Sequence, residues 1–69
     1  MPIYLADLQK DLKIVKITGN DKVKKHLENL GFIVGENIRL INRSGDNVIV
    51  KIKGVSLAIS NELAKRILV

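Results

Sequence analysis

The stretch Leu27-Glu28-Asn29-Leu30-Gly31-Phe32-Ile33-Val34-Gly35 constrains the fold of this chain more than any other. Val23, Leu27 and Leu30 recur at i, i+4 and i+7, so they line one face of a short helix. Gly31 stands where the end of that helix calls for a left-handed backbone, which glycine adopts without a Cβ penalty. Gly35, followed by Glu36 and Asn37, marks a tight turn into a strand. A helix bracketed in this way is locked to a β-rich body rather than carried on a tether. The stretch holds no catalytic constellation, which points to a module that binds or regulates.

The chain has 69 residues, room for one domain spanning 1–69. A domain this small buries only about 60% of the surface its unfolded chain exposes. Hydrophobic residues make up 46% of the chain but aromatics only 3%, so the core must be built from Ile, Leu and Val. Enrichment in β-branched residues favours strands. The chain has no cysteine. That removes disulfides and thiolate metal sites and makes a reducing cytoplasm the expected compartment. No secretory signal is visible, and no apolar run approaches the ~20 residues of a membrane span.

The pattern along the chain predicts several short strands with one helix inserted early. Ile3-Tyr4-Leu5 reads as a short strand or extended arm, and Ala6-Asp7-Leu8-Gln9 as a single turn. Leu12 to Ile17 reads as one strand, buried on both faces where Ile14 and Val15 adjoin. Asn20 or Asp21 caps a helix over about 20–30, whose outer face carries Lys22, Lys24, Lys25, Glu28 and Asn29. Asn37–Arg43 and Val48–Lys53 flank a hairpin turn at Ser44-Gly45-Asp46-Asn47. Lys53-Gly54 turns into a strand on which Val55, Leu57 and Ile59 alternate. Ser60 caps a helical turn near 60–65, and Ile67-Leu68-Val69 closes the chain. The expected architecture is mainly β, a small barrel or curled sheet of five to six strands whose closure removes exposed edges.

These residues resemble the ferrous iron transport protein A (FeoA) family. The likeness rests on Leu5-Ala6-Asp7-Leu8, on Val15-Lys16-Ile17 with Gly19, and on Leu27 to Phe32 with Gly35. It continues through Gly54 with Leu57-Ala58-Ile59 and ends on Ala64 and Ile67-Leu68-Val69. It implies an SH3-like β-barrel and a cytoplasmic accessory protein of bacterial ferrous iron uptake. The implied partner is the cytoplasmic part of a membrane ferrous iron transporter that carries a GTP-binding domain. Similar domains sit at the C-terminus of iron-dependent repressors. Two positions depart from the family pattern. Gln9 stands where a glycine is usual, and Asn47 replaces a common proline, which predicts a looser hairpin turn.

Candidate site residues follow from chemistry. Arg39 and Arg43 are expected on one side of their strand, with Lys51 and Lys53 beside them, a basic face for an acidic partner or simply a solvated exterior. Leu30 and Phe32 at the helix end are the candidate apolar contacts, although Phe32 is also a natural core residue. Gly31, Gly35 and Gly54 are structural. His26 is the lone histidine and has no second ligand on its helix face, so it reads as an ordinary helix residue rather than a metal site. No phosphate-cradling glycine loop is present, and neither a nucleophile–base pair nor paired carboxylates are in view. No cofactor is expected, and the chain does not read as an enzyme. The net charge of +5 favours acidic partners. Acidic residues are interspersed throughout, however, so no concentrated nucleic-acid stripe forms. The competing class is a small basic barrel that binds nucleic acid, or a detached repressor-type regulatory domain. Either would want exposed aromatics for base stacking, and only Tyr4 and Phe32 are on offer.

Overall fold

The computed structural model describes residues 1–69. In chain order it contains a 3-10 turn at Ile3–Leu5, strands β1 (Asp11–Lys13) and β2 (Lys16–Ile17), helix α1 (Asp21–Asn29), and strands β3 (Asn37–Ser44), β4 (Asn47–Ile52) and β5 (Val55–Ser60). The short helix α2 (Asn61–Ala64) and strand β6 (Ile67–Leu68) follow. One antiparallel sheet has the order β1-β3-β4-β5, and β2 pairs with β6 in a second.

Alternation builds the larger sheet. Ile38, Leu40, Val48, Val50, Ile52 and Ile59 point inward and are buried, while Lys51 and Lys53 remain exposed. The turns agree with this register. Gly45 takes φ +58 at the first position of a two-residue loop that closes on the Ser44–Asn47 pair. The turn at Asn47 is therefore tight, not loosened by the missing proline. Asn61 holds it from outside, donating its backbone N–H to the Asp46 carbonyl at 2.8 Å and its side-chain amide to that of Gly45 at 3.2 Å.

Asn20 supplies the cap of α1, accepting the Val23 N–H at 2.9 Å. The other end closes as a Schellman motif: the Gly31 N–H donates to the Glu28 carbonyl at 2.9 Å and that of Phe32 to Leu27 at 3.0 Å. Gly31 has φ +103, and Gly35 has φ +95 in a turn closed by the Glu36 N–H on the Ile33 carbonyl. The motif turns the chain back so that Leu27 and Phe32 both enter the core. That core is a single cluster of 13 buried residues, all hydrophobic.

Four expectations are corrected. The Leu12–Ile17 strand is two strands, because Ile14 turns into the core while Val15 stays 61% exposed. β1 then joins β3 and β2 joins β6; a right-twisted strand serving two sheets has to bend between them. Ile3-Tyr4-Leu5 forms a 3-10 turn, because the Leu5 and Ala6 N–H groups bond back to Pro2 and Ile3. Closure does not remove every edge, since β5 has β4 on one side and no strand on the other. Finally, β3 carries a bulge between Leu40 and Asn42, with Ile41 the extra residue.

Gln9 holds that bulge. Its backbone N–H reaches the Leu40 carbonyl at 2.8 Å, and its side-chain amide reaches that of Ile41 at 3.1 Å. Gln9 itself sits at φ +60, a conformation rare for a residue with a Cβ.

Candidate docking surface

The bulge decides where the arginines point. Directly opposed residues of an antiparallel pair share a face, and one extra residue inverts the alternation beyond it. Arg39 lies opposite Lys51, on the outer face, but Arg43 lies opposite the buried Val48. The two arginines therefore occupy opposite faces of β3, not one. Arg43 instead folds over the barrel rim. Its Nε donates to the Tyr4 carbonyl at 3.0 Å and its Nη2 to the Ala6 carbonyl at 2.7 Å. These bonds tie the N-terminal turn to the sheet and commit the guanidinium to structure.

The remaining basic residues do converge. A shallow open groove of about 180 Å³ is lined by Asp11, Asn37, Ile38, Arg39, Lys51, Lys53 and Gly54. Arg39 is engaged by Asp11, with Nε at 2.8 Å and Nη2 at 2.6 Å from the same carboxylate oxygen. Lys51 and Lys53 have no carboxylate partner. Lys13 pairs with Asn37 at the end of β1 and adds a third exposed ammonium to this side of the sheet. The Lys53-Gly54 turn has positive φ at both residues, 52 and 77, the requirement of a type I′ hairpin.

A second groove, of about 520 Å³ and mostly apolar in its lining, lies between β2, α1 and the turn after it. Val15, Lys16, Ile17, Lys24, Glu28, Phe32, Ile33 and Val34 line it. Phe32 is only 1% exposed and forms the floor, so the expectation that it meets a partner by its own surface is corrected. Leu30, 38% exposed, lies outside this groove. The accessible apolar surface is Val15, Ile33 and Val34, at 61%, 43% and 58% exposure. The signal for these residues was present in the sequence. Phe32-Ile33-Val34 is a longer apolar run than a turn needs, and Val15 repeats the character of Ile14 on the opposite side of the chain.

His26 is exposed in the last turn of α1. No three side chains of metal-ligating type converge anywhere in the fold. No helix is long and apolar enough to cross a membrane.

The FeoA domain pattern matches residues 1–69 without a gap at either end. The chain belongs to the FeoA family. The family is linked to ferrous iron transport and consists of small accessory domains rather than enzymes. No curated protein is significantly similar in sequence. Among solved structures, an iron uptake regulatory protein FeoA superposes with a TM-score of 0.87 at 24% identity, over 97% of this chain and 91% of that one. A zinc-complexed FeoA of Stenotrophomonas maltophilia gives 0.83 at 23% identity, over 99% and 87%. A manganese-dependent transcriptional repressor gives 0.86 at 11% identity, over 97% of this chain but 39% of the repressor. These likenesses establish the SH3-like fold.

Proposed function

We propose that this FeoA domain acts as an accessory protein of ferrous iron uptake by docking on the cytoplasmic part of a membrane ferrous iron transporter, and that it works in the cytoplasm without catalysing a reaction. The observation that carries the reading is the apolar groove over Phe32. Small proteins keep such surfaces wet only at a cost, and exposed apolar clusters rimmed by polar residues mark protein contacts. Lys16 and Lys24 rim it, and the separate Lys13, Lys51 and Lys53 face adds long-range attraction to an acidic partner. The S. maltophilia FeoA, for which a role as a ferrous iron transport activating factor has been suggested, supports the same direction.

The nucleic-acid alternative has less support. Tyr4 is half-buried with the Lys65 ammonium 5.5 Å from its ring centre, and Phe32 is in the core. Neither offers a free stacking face.

Binding of the chain to the transporter's soluble cytoplasmic domain, followed by biolayer interferometry at low and high salt, tests the proposal. Val34→Asp should weaken binding by accelerating dissociation. Lys51→Glu with Lys53→Glu should slow association and flatten its salt dependence, because rim charges act mainly on the on-rate. Full binding by both variants refutes the assigned surfaces, and absence of binding by the parent refutes the partner.

A further inference from the structure

We infer that the free edge of β5 is a self-association site, at which β5 pairs antiparallel with β5 of a second copy of this chain. The inference goes beyond the transporter-docking reading and uses a different strand edge, sharing only Lys53 with the basic face.

The two edges of the larger sheet are treated differently. The β1 edge is three residues long and carries Asp11 and Lys13, both short length and charge being devices that discourage pairing. Where β1 ends, Gln9 and Arg43 bind the N-terminal turn along β3. The β5 edge has no such protection. Its sequence, Val55-Ser56-Leu57-Ala58-Ile59-Ser60, has no charge and no proline.

The backbone of this edge is also unengaged. A two-residue hairpin closes on a hydrogen-bonded pair, here Ile52 and Val55. Alternation then directs the N–H and C=O groups of Val55, Leu57 and Ile59 to β4 and those of Ser56, Ala58 and Ser60 outward. No backbone hydrogen bond outside the β4 ladder involves residues 55–60. The outward groups belong to three small residues, which leave the approach open.

Those groups select one two-fold register. Ala58 faces Ala58 of the second copy, and Ser56 faces Ser60 on either side, giving about six new backbone hydrogen bonds from three narrow pairs. On the inner face, Leu57 then lies opposite Ile59 of the other copy. Pairing there extends the cover over Leu57, which is half-buried, and brings new backbone beside Val55, which is 54% exposed. The ends match in charge. Lys53 precedes β5 and Glu62 follows it, so antiparallel pairing brings the ammonium of each copy towards the carboxylate of the other. The like net charge of +5 on both copies opposes the contact and keeps it weak.

Sedimentation equilibrium of the full chain, from micromolar to millimolar concentration, is the test, with amide chemical shifts followed over the same range. The parent should rise from 7.7 kDa towards twice that mass. Its concentration-dependent shifts should centre on residues 55–60. Ala58→Pro removes an outward N–H without touching the β4 ladder, and it should stay monomeric while melting cooperatively. If that variant does not fold, Ala58→Lys serves instead, because the register sets its two like charges face to face. A parent that is monomeric throughout overturns the inference, as does association of a folded Ala58 variant equal to that of the parent.

Discussion

Replacing Gly31 by valine tests the helix–glycine step on which the fold turns. A Cβ built at Gly31 meets no atom of residues distant in sequence within 4 Å, so the penalty contains no crowding from the packed core. What remains is φ +103, well past the left-handed helical region that asparagine or aspartate can tolerate, and disallowed for a β-branched residue. Holding valine there costs on the order of 1–3 kcal/mol. The chain's escape is to give up the motif, which sacrifices the Gly31–Glu28 and Phe32–Leu27 bonds at about 0.5–1.5 kcal/mol each and unseats Phe32 as well. Losing the buried Phe32 makes the escape the costlier route, so the backbone strain sets the size of the loss. A chain of 69 residues has an unfolding entropy of roughly 0.14 kcal/mol/K near its midpoint. The melting temperature should therefore fall by about 7–20 °C. Differential scanning calorimetry of parent and variant measures it directly. Gly54→Asn is the comparison: Gly54 is the second residue of a type I′ turn, at φ +77, a position that asparagine tolerates, and the cost there should be a fraction of that at Gly31. A fall of less than about 3 °C for Gly31→Val would refute the argument that backbone strain at this position holds the helix end.

Other perturbations follow from the same contacts. Gln9→Ala keeps the strained φ and loses the bond to Ile41, so chemical denaturation should show a loss of about 1 kcal/mol; Gln9→Gly loses the same bond but relieves about 1–2 kcal/mol of strain, so it should equal or exceed the parent. Arg43→Met removes both guanidinium bonds to the N-terminal turn and should destabilise by about 2–3 kcal/mol, with amide exchange rising first at Ile3–Ala6. Asp11→Ala breaks an exposed ion pair worth about 0–1 kcal/mol, so the melt should hardly move while association with an acidic partner quickens at low salt. Anaerobic calorimetry of the isolated chain with ferrous iron should show no micromolar or tighter binding, since no set of ligands converges.

Much of this fold was legible because local signals agreed with one another. The Asn20 cap, the Leu27–Gly31–Phe32 step and the Lys53-Gly54 turn each demand one backbone conformation, and the apolar alternation in β4 demands one facing. The errors arose where a single residue changed the period. Ile14 and Val15 look like a doubly buried strand, but they are the bend between two sheets. Ile41 looks like one more strand residue, but as a bulge it sends Arg43 to the opposite side from Arg39. No periodicity rule locates an inserted residue, because it depends on what the partner strand pairs with. The family pattern did carry one clue, the usual glycine at the position of Gln9. A glycine there answers to the positive φ beside the bulge, which Gln9 adopts in its place.

The pairing of β2 with β6 has a consequence for the order in which this protein assembles. β3, β4 and β5 are joined by two-residue loops, so their meander closes through contacts local in sequence. The second sheet joins Lys16–Ile17 to Ile67–Leu68, and Met1 and Val69 exchange bonds at 2.8 and 2.7 Å across the whole length of the chain. Such distant contacts carry the largest loop-closure entropy and form late. They are also the natural place for partial opening in the native state. Because β2 is a wall of the apolar groove, that groove exists only once the two ends of the chain have met. A disturbance at Met1 or Val69 can thus abolish the proposed docking groove while the meander, and most of the spectroscopic signature of a folded protein, remains intact.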